Sequence, residues 1–240
     1  MDSQNKSNNK QDKTNMFRVE DKFKNIKSDY FLQKLFNNLM KKKSLDIIKY
    51  NKNIQKRINI SIKDYKEYSE IYSSIEIEIK PVNNEYGEFI NMNENEKYYH
   101  IYFNDNKEEI KRNYLDGNDN VSKIKIIIDY QVKSFEELFY YCECIEYINF
   151  KKFYRNNINN MKGMFYGCSS LKELNLSNFN TNNVNDMRNM FGGCSSLKEL
   201  NLSNFNTNNV TDMKGMFMRC SNKLKMKIKS QIKNIKEEAF

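Results

Sequence analysis

A single histidine and a single proline occur in 240 residues. The lone His100, in KYYHIYFND, has neither a second His nor a nucleophile beside it. A His-based catalytic centre or a His-anchored zinc site therefore lacks its parts. No run of eighteen apolar residues is present, which excludes an apolar membrane-spanning helix. The opening MDSQNKSNNKQDKTN lacks the apolar core of a signal peptide. It reads as a disordered polar arm over residues 1–26, and the expected localisation is cytoplasmic. That compartment also suits five cysteines that need no disulfide.

Arginine is scarce where the positive charge lies. Residues 1–60 hold 15 Lys/Arg against 6 Asp/Glu, and the other 180 residues balance, so the net +9 sits at the amino-terminal end. Only Arg18 and Arg57 are arginines in that region. Without clustered guanidinium groups there is little means of planar phosphate or base recognition, and the reading is against a nucleic-acid partner.

What the chain does have is repetition. GCSSLKELNLSNFNTNNV occupies residues 167–184 and recurs unchanged at 193–210, one 26-residue step later. The grid extends outward through Phe139, Phe165, Phe191 and Phe217, and through Cys142, Cys168, Cys194 and Cys220. Ile145, Leu171 and Leu197 keep the same step, as do Phe153, Phe179 and Phe205. LFYYCECIEYINFKKFY is a worn copy, and SKIKIIIDYQV reads as a further partial one. A fixed period of this length marks stacked repeats in which each coil borrows core from its neighbours.

Within a coil, Leu174-Asn175-Leu176 alternates as a strand does, with Asn175 outward. Val184, Met187, Met190 and Phe191 then fall at helical spacing, ahead of Gly192-Gly193. The expected fold class is α+β: short N-terminal helices, a small antiparallel β region, then a leucine-rich-repeat solenoid with a parallel sheet and short helices. The expected domains are the arm 1–26, a helical segment 27–60, a β-rich region 61–123, and the solenoid 124–240. SNKLKMKIKSQIKNIKEE, with lysine at its outward positions, reads as the C-terminal cap.

FYGCSSLKELNLSNF resembles the BspA-like leucine-rich repeats, whose step is Phe-x-x-Cys-x-x-Leu-x-x-Leu-x-Leu, over about residues 124–229. That resemblance implies a binding scaffold without enzymatic activity, and surface adhesion as the alternative role. Where many leucine-rich repeats carry a turn Asn, this chain has Phe179 and Phe205.

The cysteine ladder is accounted for by repetition, with each thiol buried as a small hydrophobe. No metal or cofactor is expected. Ser169-Ser170 and Ser195-Ser196 have no base beside them. The candidate partner-binding residues are those that alternation turns outward: Tyr147, Asn149 and Lys151; Glu173, Asn175 and Ser177; Glu199, Asn201 and Ser203. Stacked in rows, they suit a protein partner.

Ahead of the repeats, Leu32, Leu35, Phe36 and Leu39 form an apolar helical stripe, and Ser44 can cap a second helix. Leu-x-x-Leu-Phe-x-x-Leu followed by Ser44-Leu45 resembles an F-box, although the initial Pro is missing and Ile54 stands near the Trp position. An F-box would make these four residues the contact for a ubiquitin-ligase adaptor, and the repeats the substrate receptor of a cullin-type ligase. Residues 61–123 alternate in YSSIEIEIKPV, GEFINMN and KYYHIYFND, read as antiparallel strands, the first ending at Pro81. The expected function is a non-catalytic protein-interaction scaffold.

Overall fold

The computed structural model describes residues 26–30, 32–33, 52–59, 73–129, 132–232 and 235–240. They belong to two units, Met1–Tyr72 and Ser73–Phe240. In the first, helix α1 (Lys52–Arg57) buries Ile54, and Leu32 and Ile58 are buried as well. Arg57 pairs with Asp29 at 2.7 Å and donates to the Ile26 carbonyl. The polar arm up to residue 25 and the stripe residues Leu35, Phe36 and Leu39 lie outside the described residues.

The second unit has strands β1 (Ile75–Pro81), β2 (Gly87–Glu88), β3 (Tyr99–Phe103), β4 (Tyr114–Leu115), β5 (Ile124–Ile128), β6 (Ile145–Lys152) and β7 (Glu173–Asn175). Five of them form one sheet in the order β3-β5-β1-β6-β7, and β2 pairs with β4 in a second. The cause of the central pairing is plain in the residues. Ile75, Ile77 and Ile79 of β1 and Ile124, Ile126 and Ile128 of β5 are all buried. Antiparallel register sets Ile77 opposite Ile126, so one face of the pair is a continuous apolar surface. β1 ends at Pro81, which has no N–H to continue a ladder.

Two expectations are corrected here. SKIKIIIDYQV is not a partial coil: β5 lies antiparallel between β3 and β1. Its burial alternates with period two, leaving Ile127 half-buried between Ile126 and Ile128. The leucine-rich-repeat solenoid is not formed either. Among the described residues, four of the five strands of the main sheet pair antiparallel, and the one parallel strand pair is β6 with β7. The equivalent stretch of the next coil, 198–202, is not a strand, and residues 188–193 are turns where a helix is expected.

Backbone geometry explains the missing helices. Each coil holds two left-handed positions at fixed phase: Glu137, Gly163, Asn189 and Gly215, then Tyr141, Gly167, Gly193 and Arg219. A positive φ cannot continue a right-handed helix. The N–H groups divide their bonds accordingly. Those of Met161, Gly163, Phe165 and Gly167 donate to the carbonyls of Asp186, Arg188, Met190 and Gly192 in the next coil, at 2.8–2.9 Å. Those between close three-residue turns, as Met164 to Met161 and Cys168 to Phe165 do. The spacing of three that reads as helix is thus a run of turns stacked on the run below.

The 26-residue grid does give the core. Phe139, Phe165, Phe191 and Phe217 are fully buried and stack with centroids 5.4–5.7 Å apart. Val132, Ile158, Val184 and Val210 are buried at one step, and Phe153, Phe179 and Phe205 at another. The worn coil departs at Arg155, which stands where later coils have Thr181 and Thr207. It is buried, and loss of hydration brings its guanidinium pKa down to about 10.

The last coil is closed by helix α2 (Asn222–Gln231), capped by the Ser221 hydroxyl and burying Leu224 and Ile228. The chain then returns so that Gly215 and Phe217 donate to the Glu238 and Ala239 carbonyls at 2.7 Å. Phe240 stacks on Phe217 at 5.6 Å, one more layer on the phenylalanine column. No helix among the described residues is long and apolar enough to cross a membrane.

Candidate functional site

The outward residues of the rows are set by β6, β7 and the coil that follows. In β6 and β7 the register places Tyr147 beside Glu173 and Asn149 beside Asn175. Asn175 Nδ2 donates to Asn149 Oδ1 at 3.1 Å, so the amides form one rung across two rows. Asn175 Oδ1 then accepts from the Ser177 N–H, and Asn201 Oδ1 from the Ser203 N–H, each at 3.0 Å. These side-chain contacts turn the chain out of the row. Tyr147 is half-buried with Lys80 Nζ 5.0 Å from its ring centroid, and Lys151 pairs with Glu78 on the neighbouring β1.

Glu173, Asn175, Ser177, Glu199, Asn201 and Ser203 are all exposed. The structure brings the first two rows into register; the third is alongside without strand pairing. Where the pairing stops, a groove of about 660 Å3 opens, lined by Lys172, Glu173, Lys198, Glu199, Lys227 and Gln231 among others.

The polar groove residues absent from the predicted rows are Lys172, Lys198, Lys227 and Gln231. Lys172 and Lys198 precede the outward glutamates in each copy of LKELNL, and strict alternation points them inward; both are exposed. Lys227 and Gln231 arrive on α2, whose lysines alternate with apolar residues in sequence and so mimic a strand. Gln231 does a specific task there. Its Oε1 accepts from the Leu202 N–H at 2.8 Å and its Nε2 donates to the Leu200 carbonyl at 3.1 Å. One side-chain amide thus substitutes for the peptide group of a further row. It satisfies the edge that would otherwise pair with another chain.

Charge on this face is layered by duplication. Lys172 and Lys198 hold equivalent positions, and so do Glu173 and Glu199, which makes a lysine column beside a glutamate column. Lys172 turns to Glu146 of the first row at 2.6 Å, and Glu199 to Lys227 at 2.6 Å. The Lys227 ammonium holds the Glu199 carboxyl below its ordinary pKa.

The cysteines are core. Cys142, Cys144, Cys168, Cys194 and Cys220 are free and buried. Sγ of Cys168, Cys194 and Cys220 donates to the carbonyls of Phe139, Phe165 and Phe191 at 3.0–3.1 Å. Burial pushes the Cys168 and Cys194 thiols well above their ordinary pKa, so little nucleophilic thiolate forms. Among the described residues no group of three His, Cys, Asp or Glu could hold a metal ion. Ser195 and Ser196 both bond to the Ser169 carbonyl of the coil before; they join coils.

His100 is half-buried on β3. Its Nδ1 lies 3.0 Å from Glu109 Oε1 and its Nε2 3.6 Å from Asp129 Oδ2. The carboxylates come from the segment after β3 and from the end of β5, a pairing that only the antiparallel register creates. Of the predicted adaptor contact, Leu32 alone is described, and it is buried; Leu35, Phe36 and Leu39 lie outside the described residues.

No curated protein and no solved structure matches the chain. Residues 133–238, which carry the stacked coils, the rows and the closing helix, match the family model described as Mycoplasma protein of unknown function, DUF285, and in that stretch the chain is similar to that family.

Proposed function

We propose that the unit Ser73–Phe240 is a non-catalytic scaffold that binds a protein partner through the exposed rows and their groove. The observation that carries this reading is the arrangement of Glu173, Glu199, Lys172 and Lys198 around an open groove of about 660 Å3. Charged side chains on a rigid backbone steer a complementary surface and fix its register. The groove residues belong to stacked coils and the helix α2 that closes them, over a buried core, so a partner meets a preformed face and little ordering cost. The adaptor contact at Leu32, Leu35, Phe36 and Leu39 has no such support, and the reading rests on the rows alone.

The test is capture with immobilised protein from native cytosol, quantified by mass spectrometry for wild type and for Glu173→Lys with Glu199→Lys. Reversal at exposed positions alters stability by about 0.5 kcal/mol each or less, so circular dichroism and the melting temperature should be unchanged. The expected result is loss of every specifically captured protein. Undiminished capture by the double variant would move the contact off this face.

A further inference from the structure

The proposed binding face is self-complementary, and we propose that its partner is a second copy of this chain. The inference rests on the reading of the rows as a binding face and names the occupant.

Because the copies are unchanged, like charges stand one above another: Lys172 and Lys198 in one column, Glu173 and Glu199 in the next. Stacked like charges leave each column to repel itself. The chain relieves part of this internally, through Lys172 with Glu146 and Glu199 with Lys227, each at 2.6 Å. Glu173 and Lys198 are left with no ion pair among the described residues. The face thus presents one uncompensated anion and one uncompensated cation, next to a groove that neither fills.

A two-fold axis in the plane of the face, running along the stack between the columns, exchanges them and keeps the rows. Lys172 then meets Glu173 of the second copy, Lys198 meets its Glu199, and both contacts occur twice. An axis along the rows would instead set lysine on lysine and glutamate on glutamate. Isologous pairing needs a patch that complements itself, and here charge selects one orientation. Gln231 blocks the alternative of extending the rows edge to edge, because it already occupies the Leu200 carbonyl and the Leu202 N–H. Two charged rows fall well short of the roughly 800 Å2 per partner of a standard interface. The association is therefore weak, with a dissociation constant on the order of 100 µM, about −5.5 kcal/mol, and it is sensitive to salt.

The experiment is sedimentation equilibrium on the full chain. The wild type should rise from 28.9 kDa towards twice that mass with concentration, and fall back in about 0.5 M salt. Lys172→Glu with Lys198→Glu makes both columns acidic, and Glu173→Lys with Glu199→Lys makes both basic. Each variant alone should stay monomeric at matched concentration. Their equimolar mixture should form a one-to-one heterodimer at least about tenfold tighter than the wild-type pair. Lys198→Glu and Glu173→Lys as single variants break no ion pair among the described residues, and should show the same behaviour in weaker form.

A wild type that remains monomeric throughout overturns the proposal, as does dimerisation undiminished in either variant or a mixture that does not associate. If the wild type is monomeric while the basic variant loses its captured proteins, the face binds another partner and the second copy is wrong. If charge reversal changes neither self-association nor capture, both readings fall.

Discussion

The two sides of each coil are joined to their neighbours by different means. On the turn side, alternate N–H groups cross to the next coil from Phe135 onward, and the last acceptor is Ala239. On the row side, strand pairing runs from β6 to β7 and stops. Beyond it, Asn204 Nδ2 reaches the Leu176, Ser177 and Phe179 carbonyls at 3.3, 3.1 and 2.9 Å. Thr181 Oγ1 accepts from the Asn206 N–H at 2.8 Å and donates to the Asn206 carbonyl at 3.0 Å. Both sides bury the same grid of apolar residues, yet one is laced by backbone and the other is fastened by side chains. Burial and backbone bonding are separate variables, and the open side is the one that has a groove.

The largest way to break this scheme is through the core that the two sides share. Cys194→Asp places a charge where the buried thiol donates to the Phe165 carbonyl, and should cost at least about 3 kcal/mol. In the wild type, Cys168 and Cys194 should resist alkylation without unfolding, measured by mass spectrometry after timed labelling. Rapid labelling would contradict their burial.

A smaller loss isolates the turn side. Gly193 has φ +76° and an added Cβ would sit 3.3 Å from the Gly167 backbone, which cannot swing away. Gly193→Ala should cost about 2 kcal/mol from left-handed strain and the close approach, read from chemical denaturation. A neutral result would mean that the turns do not stack as described.

The smallest effect belongs to the row side. Asn204→Ala removes one donor shared among three carbonyls, and should cost about 1 kcal/mol. Because the groove lies on this side, the substitution should also speed exchange of the Leu202 and Phe205 amides while leaving those of Phe165 and Phe191 slow. Equal effects on both sides would erase the distinction between them.

The buried grid is legible in the sequence because an unchanged 26-residue step can only mean equivalent environments. Every grid position from Phe139 to Cys220 named there is buried. The local conformation is not legible in the same way. Val184, Met187, Met190 and Phe191 satisfy a helical stripe and a stack of turns equally well, since both bring every third or fourth residue to one side. The deciding signal is the pair of positions at Gly163 and Gly167, four residues apart, which a helix interior does not favour. β5 is missed because Ile124 and Val132 coincide with the grid, while the Ile124, Ile126, Ile128 alternation is the stronger pattern. In α2 the alternating lysines obscure Leu224 and Ile228, four residues apart and preceded by a serine cap. The outward row residues follow from alternation, but the groove depends on Lys227 and Gln231, brought there by packing that no local pattern encodes.

The claim that coils are laced by turn-side backbone bonds is tested most directly by scalar couplings across hydrogen bonds in the isotopically labelled protein. The structure predicts correlations from the Gly163 amide nitrogen to the Arg188 carbonyl carbon, from Phe165 to Met190 and from Gly167 to Gly192. Correlations from Gly163 to Asn159 and from Gly167 to Gly163, the pattern of a helix in each coil, would contradict it.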